Sequence, residues 1–499
     1  MGWIEIQEAR DPEPDRENAP AWRRRGGWVA AVLSFAILLP AYHHVATRRA
    51  DRFNSDVKLT DHFRGGEATD VIFHHDQHVY LNLGRLMRIN HYHYVVPRQR
   101  TPGFPFLLSL FYRDADAYAP DGEDDPRRVG EAYFERAKRF CVLLSMGAIV
   151  AVFFLARGRG MPMTESILFT WAVAWLLFVF RAPFVQPEIL FQTLALAMFL
   201  SLGRQIAAPT WRGGVLAGLA AAAVYGVKSA CLPALGWFVA VFGLRQLASL
   251  WRGRRREGLA WKSWLSEVAK GAVVPVVFVA ALSPYLSRTW RLYGSPFWSV
   301  HTAHYFWLEN AAEKNKWREL DEPNGGVAPP DAPSPRKYLA EHTPAEIVGR
   351  FTGGTAHTLK LIRQEYAPTH EFLFKRLFRL ALVVAALFCV PLWRWARRHW
   401  AVILFSGGYV GGYALIYGWM DGIRSGPRFM MSLGPVVFYL CFAFLGRFTG
   451  TLVLRPPTEG GKSLTLPMRW PINAIAAVCL AIAVWTVWTE AAWRIEGGN

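Results

Sequence analysis

Cysteine is scarce in this chain. There are five among 499 residues (Cys141, Cys231, Cys389, Cys441 and Cys479), and each falls inside an apolar run. That scarcity and placement exclude a disulfide framework and a cysteine metal site, because thiols in such surroundings behave as small hydrophobes. No signal-peptide cleavage site follows Leu39, so the first apolar run reads as a retained anchor. The chain has no internal repeat, which speaks against transporters built from two related halves. Acidic residues are few beside basic ones, 38 against 56, giving a net charge of +18. An excess of that kind suits a nucleic-acid binder, but here it lies in connectors between apolar runs, where membrane orientation explains it without a nucleic-acid partner.

What is abundant is apolar. Hydrophobic residues make up 52% and aromatic residues 14%, collected in runs of roughly 17 to 22, the length an α-helix needs to cross a bilayer. Only helices and closed barrels satisfy their backbone groups in lipid, and runs this long exclude barrel strands. The fold class expected is an all-α polytopic membrane protein with about 11 spans, near 28–46, 138–156, 164–180, 187–203, 213–227, 229–247, 271–288, 378–395, 400–418, 429–446 and 471–488. Lys228 interrupts the fifth and sixth.

Orientation follows from the basic residues of short connectors. "RGRG", "WRGRRREGLAWK" and "RWARRHW" fall on one side, which makes it cytoplasmic, together with residues 1–27, a polar tail ending in Arg23, Arg24 and Arg25. The domain so defined is 28–488, with a C-terminal tail at 489–499 and two large outer loops, 47–137 and 289–377. Each loop carries amphipathic material. Residues 76–94 have helical spacing, and "PRQRTPGFPFLLSLFY" holds an apolar segment too short to span. In the second loop, Ile347, Phe351, Leu359 and Ile362 form a stripe suited to a helix on the membrane surface, next to the Pro/Gly/Asp linker 321–336.

The residues with chemistry to offer lie on the outer side. "HHDQHVYLNLGR" puts His74, Asp76, His78 and Tyr80 within two turns. His74, His78 and Asp76 are spaced to hold a divalent metal ion, the one cofactor the sequence suggests. The plainer readings are a polar interface for the histidines and a helix cap for the aspartate. Arg98 and Arg100 occupy a basic turn, Glu188 the mouth of a span, and Lys228, Arg424 and Arg428 the outer ends of others. A lysine at such an end can simply snorkel. His301 and His304, beside Tyr305 and Trp307, read as an aromatic belt, as do most of the 22 tryptophans.

One span followed by "DQHVYLNLGRLMRINHYHYVVPRQRTPGFPFLLSL" resembles the start of the C-type glycosyltransferases (GT-C), in which an acidic residue precedes a tyrosine and a basic "RxPGYP"-like turn. The matching residues are Asp76, Tyr80, Arg100, Pro102, Gly103, Phe104 and Pro105. "QPEILFQTLALAMFL", "GVLAGLAAAAVYGVKSACLPAL", "SPYLSRTWRLYGSPFWSV" and "RSGPRFMMSLGPVVF" follow in the family's order. Many relatives have a second acid after the first, where this chain has Gln77. The resemblance is to bacterial enzymes of the protein O-mannosyltransferase and aminoarabinose-transferase kind. It implies a multi-pass enzyme of a bacterial plasma membrane that moves a sugar from a polyprenyl-phosphate donor to a lipid, glycan or protein acceptor on the extracytoplasmic face. Inverting transfer needs a base for the acceptor hydroxyl, a role that falls to Asp76. It also needs positive charge at the departing phosphate, which Arg424, Arg428, Lys228 and Arg100 can supply. Tyr80, Arg98 and Glu188 are further substrate contacts in this reading. The rival readings are a transporter or lipid-linked-sugar flippase, whose pathway would need charges near mid-membrane, and a non-catalytic subunit of envelope assembly.

Overall fold

The computed structural model describes residues 4–7, 21–55, 77–93, 100–113, 131–255, 261–317, 331–423, 426–448, 451–454 and 464–491. These residues are overwhelmingly helical. Among them, nine helices are long and apolar enough to cross a membrane, which makes the chain a multi-pass helical membrane protein. Its outer surface is apolar, as lipid contact requires. Val276, Val279, Val478, Ile482 and Trp485 all face outward.

The first helix, α1 (Ala21–Ser55), leads toward two short elements, α2 (Gln77–Ile89) and α3 (Gly103–Ser109). A long α4 (Glu131–Gly158) returns the chain to α5 (Met163–Val173), which continues through a π turn to Arg181. α5 and the following α6 (Glu188–Ala207) are the most buried spans, so they form the centre of the bundle.

α7 (Trp211–Val227) has 17 residues, about 25 Å at 1.5 Å per residue. It packs closely on α9 (Trp261–Tyr293), the partner that follows α8 (Leu232–Arg255). Gly214 and Gly218 permit that approach. A Cβ at Gly214 would sit 2.8 Å from the Lys270 carbonyl oxygen, and one at Gly218 would sit 2.7 Å from that of Val274. The glycines stand four residues apart, the small-residue spacing that lets membrane helices touch backbone to backbone.

In the second loop, α10 (Pro335–Glu341) precedes α11 (Pro344–Glu365). Thr343 and Glu346 close a capping box at its start, each side chain meeting the other's backbone N–H. These hydrogen bonds hold the Glu346 carboxyl below its ordinary range. The span expected at 378–395 is broken into α12 (Phe378–Leu387) and α13 (Cys389–Arg398). Pro391 explains the break. It has no N–H for a bond to Leu387 and its ring would crowd that carbonyl, whereas in the first turn of a new helix no donor is needed. Nine of the eleven expected spans are thus long apolar helices among the described residues, while the other two fall on the short α7 and on this broken pair.

α14 (Trp400–Trp419), α15 (Gly426–Met430), α16 (Gly434–Phe448) and α17 (Arg469–Thr486) complete the bundle. One feature departs from an all-helical chain. Strands β1 (Ile4–Gln7), β2 (Thr451–Leu454) and β3 (Leu464–Pro467) form an antiparallel sheet in the order β1-β2-β3. It ties the N-terminal segment to the connector between α16 and α17, so both lie on one side of the helices. On that side the Glu165 carboxylate, wholly buried, accepts two parallel bonds of 2.9 Å from Arg469 and a third, of 3.0 Å, from Asn473.

Candidate active site

The opposite end of the bundle gathers α2, α3, the 182–187 turn, the α7–α8 junction and α15. The buried Gln77 opens α2, and its side-chain carbonyl accepts a 2.6 Å hydrogen bond from the backbone N–H of Val185. That bond fastens the first loop to the turn that launches α6. Tyr80, Leu81, Leu83 and Met87 bury the same side of α2, with Tyr80 edge-on to Phe104 of α3 at 5.5 Å.

α3 in turn rests on the end of α7. A Cβ on Gly103 would stand 2.6 Å from the Gly226 carbonyl oxygen, so only glycine fits this contact. Arg100, just before α3, spreads over the Tyr80 ring at 5.6 Å and donates from Nη1 to Nε2 of His301, which belongs to the second loop. Arginine has no acceptor atom, so His301 accepts with Nε2 and carries any proton of the neutral ring on Nδ1. The two large loops thus meet through side chains 201 residues apart in sequence.

Glu188 is the centre of the charged cluster. It begins α6, is 2% exposed, and has Lys228 Nζ at 3.7 Å and Arg428 Nε at 3.4 Å from its Oε1. Arg181 is close enough to act on it electrostatically, and itself donates to the Tyr366 hydroxyl at the end of α11. Phe429 provides a face for both cations, 4.2 Å from Lys228 Nζ and 5.1 Å from Arg428 Cζ. Lys228 reaches this position because its backbone leaves the helix. Its φ of −159° and ψ of 123° end α7 and start a single 3-10 turn before α8. Among the described residues, two cations meet one carboxylate and a third cation is nearby. Such a site accepts an anion, and a guanidinium fits phosphate oxygens with paired donors.

Of the residues singled out from sequence, Glu188, Lys228 and Arg428 come together, and Tyr80 and Arg100 form a neighbouring pair joined through Gly103 and Gly226. Asp76, His74, Arg98 and Arg424 lie outside the described residues, and for His78 only the backbone, in the first turn of α2, is described. The Tyr80 ring is buried under Arg100 and against Phe104, so it supports the arginine. No cluster of three metal-ligating side chains occurs among the described residues. Sequence reading missed Arg181, which looked like the end of a span, and the role of His301. It also passed over Gln77 as a departure from a family pattern, although a buried amide at a helix start signals a hydrogen-bond partner.

No family model and no curated protein sequence matches the chain. Among solved structures it is similar to the archaeal oligosaccharyltransferase AglB from Archaeoglobus fulgidus, determined in complex with an inhibitory peptide and a dolichol-phosphate. The TM-score is 0.43 and the identity 12%, over 85% of this chain and 52% of that one. The chain thus spans about half the length of that protein.

Proposed function

We propose that this protein is an integral membrane glycosyltransferase that takes a sugar from a polyprenyl-phosphate donor and transfers it to an acceptor hydroxyl at the extracytoplasmic face of a bacterial plasma membrane. The observation that carries the reading is the gathering of Lys228 and Arg428 around buried Glu188, beside a first loop that resembles the GT-C pattern. A lipid phosphate has its charge at the bilayer surface and its tail in hydrocarbon, so it needs cations at the end of a helical bundle. That is where these stand.

In the transfer, the Asp76 carboxylate takes the proton of the acceptor hydroxyl as its oxygen attacks the anomeric carbon. The bond from that carbon to the phosphate oxygen breaks, and the electron pair leaves on polyprenyl phosphate. Lys228, Arg428 and Arg424 stabilise the charge that develops there, and Arg100 holds the first loop against His301. Glu188 keeps the two cations paired, and so fixed in place, until phosphate arrives. Asp76 is one peptide bond from Gln77, whose bond to Val185 anchors the start of α2 three residues from Glu188.

The reading includes eleven crossings with the N-terminus cytoplasmic. Two contacts support the count. Lys228 touches Glu188, which fits α6 and α7 returning the chain to one face and so favours α7 as a crossing despite its length. The pairing of β1 with β2 fits an even number of crossings between them, with the broken α12–α13 as the tenth. The test is turnover of a panel of radiolabelled polyprenyl-phosphate sugars by the purified wild type and by Asp76→Asn, with membrane extract as acceptor. Turnover by the wild type, lost in a folded variant that still binds donor, supports the reading. Equal turnover by both removes Asp76 from the mechanism.

A further inference from the structure

A cavity of about 320 Å³ lies away from the charged cluster, between the second loop, α11 and the end of α14. Its polar lining consists of Glu309, His342, Arg350 and Asp421. The two carboxylates are held in place. His342 Nε2 is 2.9 Å from a Glu309 oxygen while its ring stacks on Tyr338, and Asp421 is bonded by His357 at 2.7 Å and by Thr358 at 3.1 Å. Arg350 is fixed as well. Nε donates to the carbonyl of Trp419 and Nη2 to that of Leu308, with the guanidinium 4.1 Å above the Trp419 ring. Among the described residues its third nitrogen, Nη1, is buried and has no hydrogen-bond partner.

This combination narrows the ligand. Two carboxylates repel an anion, and a fixed guanidinium in the same lining opposes a cation. A hydroxyl suits this lining, because it donates to a carboxylate without adding charge. Several hydroxyls on one small frame would use both carboxylates together, and the volume lies at the lower end of the range for small-molecule sites.

We infer that this cavity is a binding site for a neutral polyhydroxylated ligand, one sugar residue of a glycan. Its role as an acceptor subsite rests on the transferase reading; the binding itself does not. Saturation-transfer NMR of the full-length protein in nanodiscs tests it, with glucose, mannose, galactose and N-acetylglucosamine as neutral probes and glucuronate and glucosamine as charged controls. The expected result is transfer to at least one neutral sugar, with affinity reduced roughly tenfold or more in Glu309→Gln and in Asp421→Asn. Both variants should keep the wild-type melting profile, and Asp76→Asn should bind as wild type. Transfer to none of the neutral sugars, preference for a charged control, or binding unaffected by both cavity substitutions overturns the inference. Loss of turnover with sugar binding intact would instead count only against the transferase reading.

Discussion

The Gln77 side-chain carbonyl and the Val185 backbone N–H are 2.6 Å apart, although 108 residues separate them in sequence. The bond joins the first loop to the turn before α6. Gln77→Ala leaves a buried N–H without a partner and should cost about 1 to 3 kcal/mol, read as a lower melting temperature. It should also reduce kcat more than KM, since the donor cations remain. Gln77→Glu restores an acceptor at the same place and should recover most of the stability. Equal losses in both variants would remove the hydrogen bond from the explanation.

The cations around Glu188 make a second test. Lys228→Met removes one of the proposed phosphate contacts and one of the two cations that meet a carboxylate 2% exposed. Polyprenyl phosphate should raise the melting temperature of the wild type and raise that of Lys228→Met much less. Glu188→Ala acts differently, because it leaves Lys228 and Arg428 facing one another without their anion. It should be the more destabilising change, by up to about 3 kcal/mol, and anionic lipid should partly rescue it.

On the far face, Glu165 with Arg469 and Asn473 should behave as a purely structural unit. Arg469→Met strands a carboxylate that is wholly buried, a change of about 3 kcal/mol or more. Activity per folded molecule should be unchanged. A fall in kcat without a fall in stability would contradict that assignment.

Gly103 tests the contact between the loop and the bundle. Gly103→Ala puts a methyl group 2.6 Å from the Gly226 carbonyl oxygen, which α3 can relieve only by lifting away from α7. Amide exchange in residues 103–109 should accelerate and KM should rise, while the melting of the helical bundle stays near wild type.

The capping box predicts a pH effect confined to the start of α11. Glu346 has its carboxyl held low by bonds from Thr343, so its folded value is below the ordinary value of about 4.3. A depressed carboxyl contributes stability that is full above the unfolded value and is lost as pH falls through the folded one. Exchange of the 344–347 amides, corrected for intrinsic rates, should be slow at neutral pH and accelerate below about pH 4. Thr343→Ala should show the fast exchange at every pH.

Much of this architecture is written in local pattern. The apolar runs became helices, Lys228 broke its pair of spans as a charged residue between two short apolar pieces would, and the stripe from Ile347 to Ile362 became α11. The break at Phe388 was legible too, in Pro391, but a hydropathy run hides it. Glu188, Lys228 and Arg428 could be named because charges at the ends of apolar runs are conspicuous. Their meeting could not, because it depends on how α6, α7 and α15 pack. The same holds for Arg100 with His301 and for the cavity between Glu309 and Asp421, whose members stand in loops with no shared spacing. The sheet was invisible for another reason. Four-residue strands in polar, proline-bearing connectors carry too little alternation to stand out.

That sheet imposes an order on biosynthesis. β1 is made before any of the crossings, yet the partners that satisfy its backbone lie at 451–454, after nearly every crossing has been threaded. While the helices between them are made, the edge of β1 that β2 will cover is open to any other edge it meets. Only when α16 has emerged and the connector folds back can the two segments be fastened together. Closure of the sheet is therefore a late event, and a report that the helices before it have been inserted.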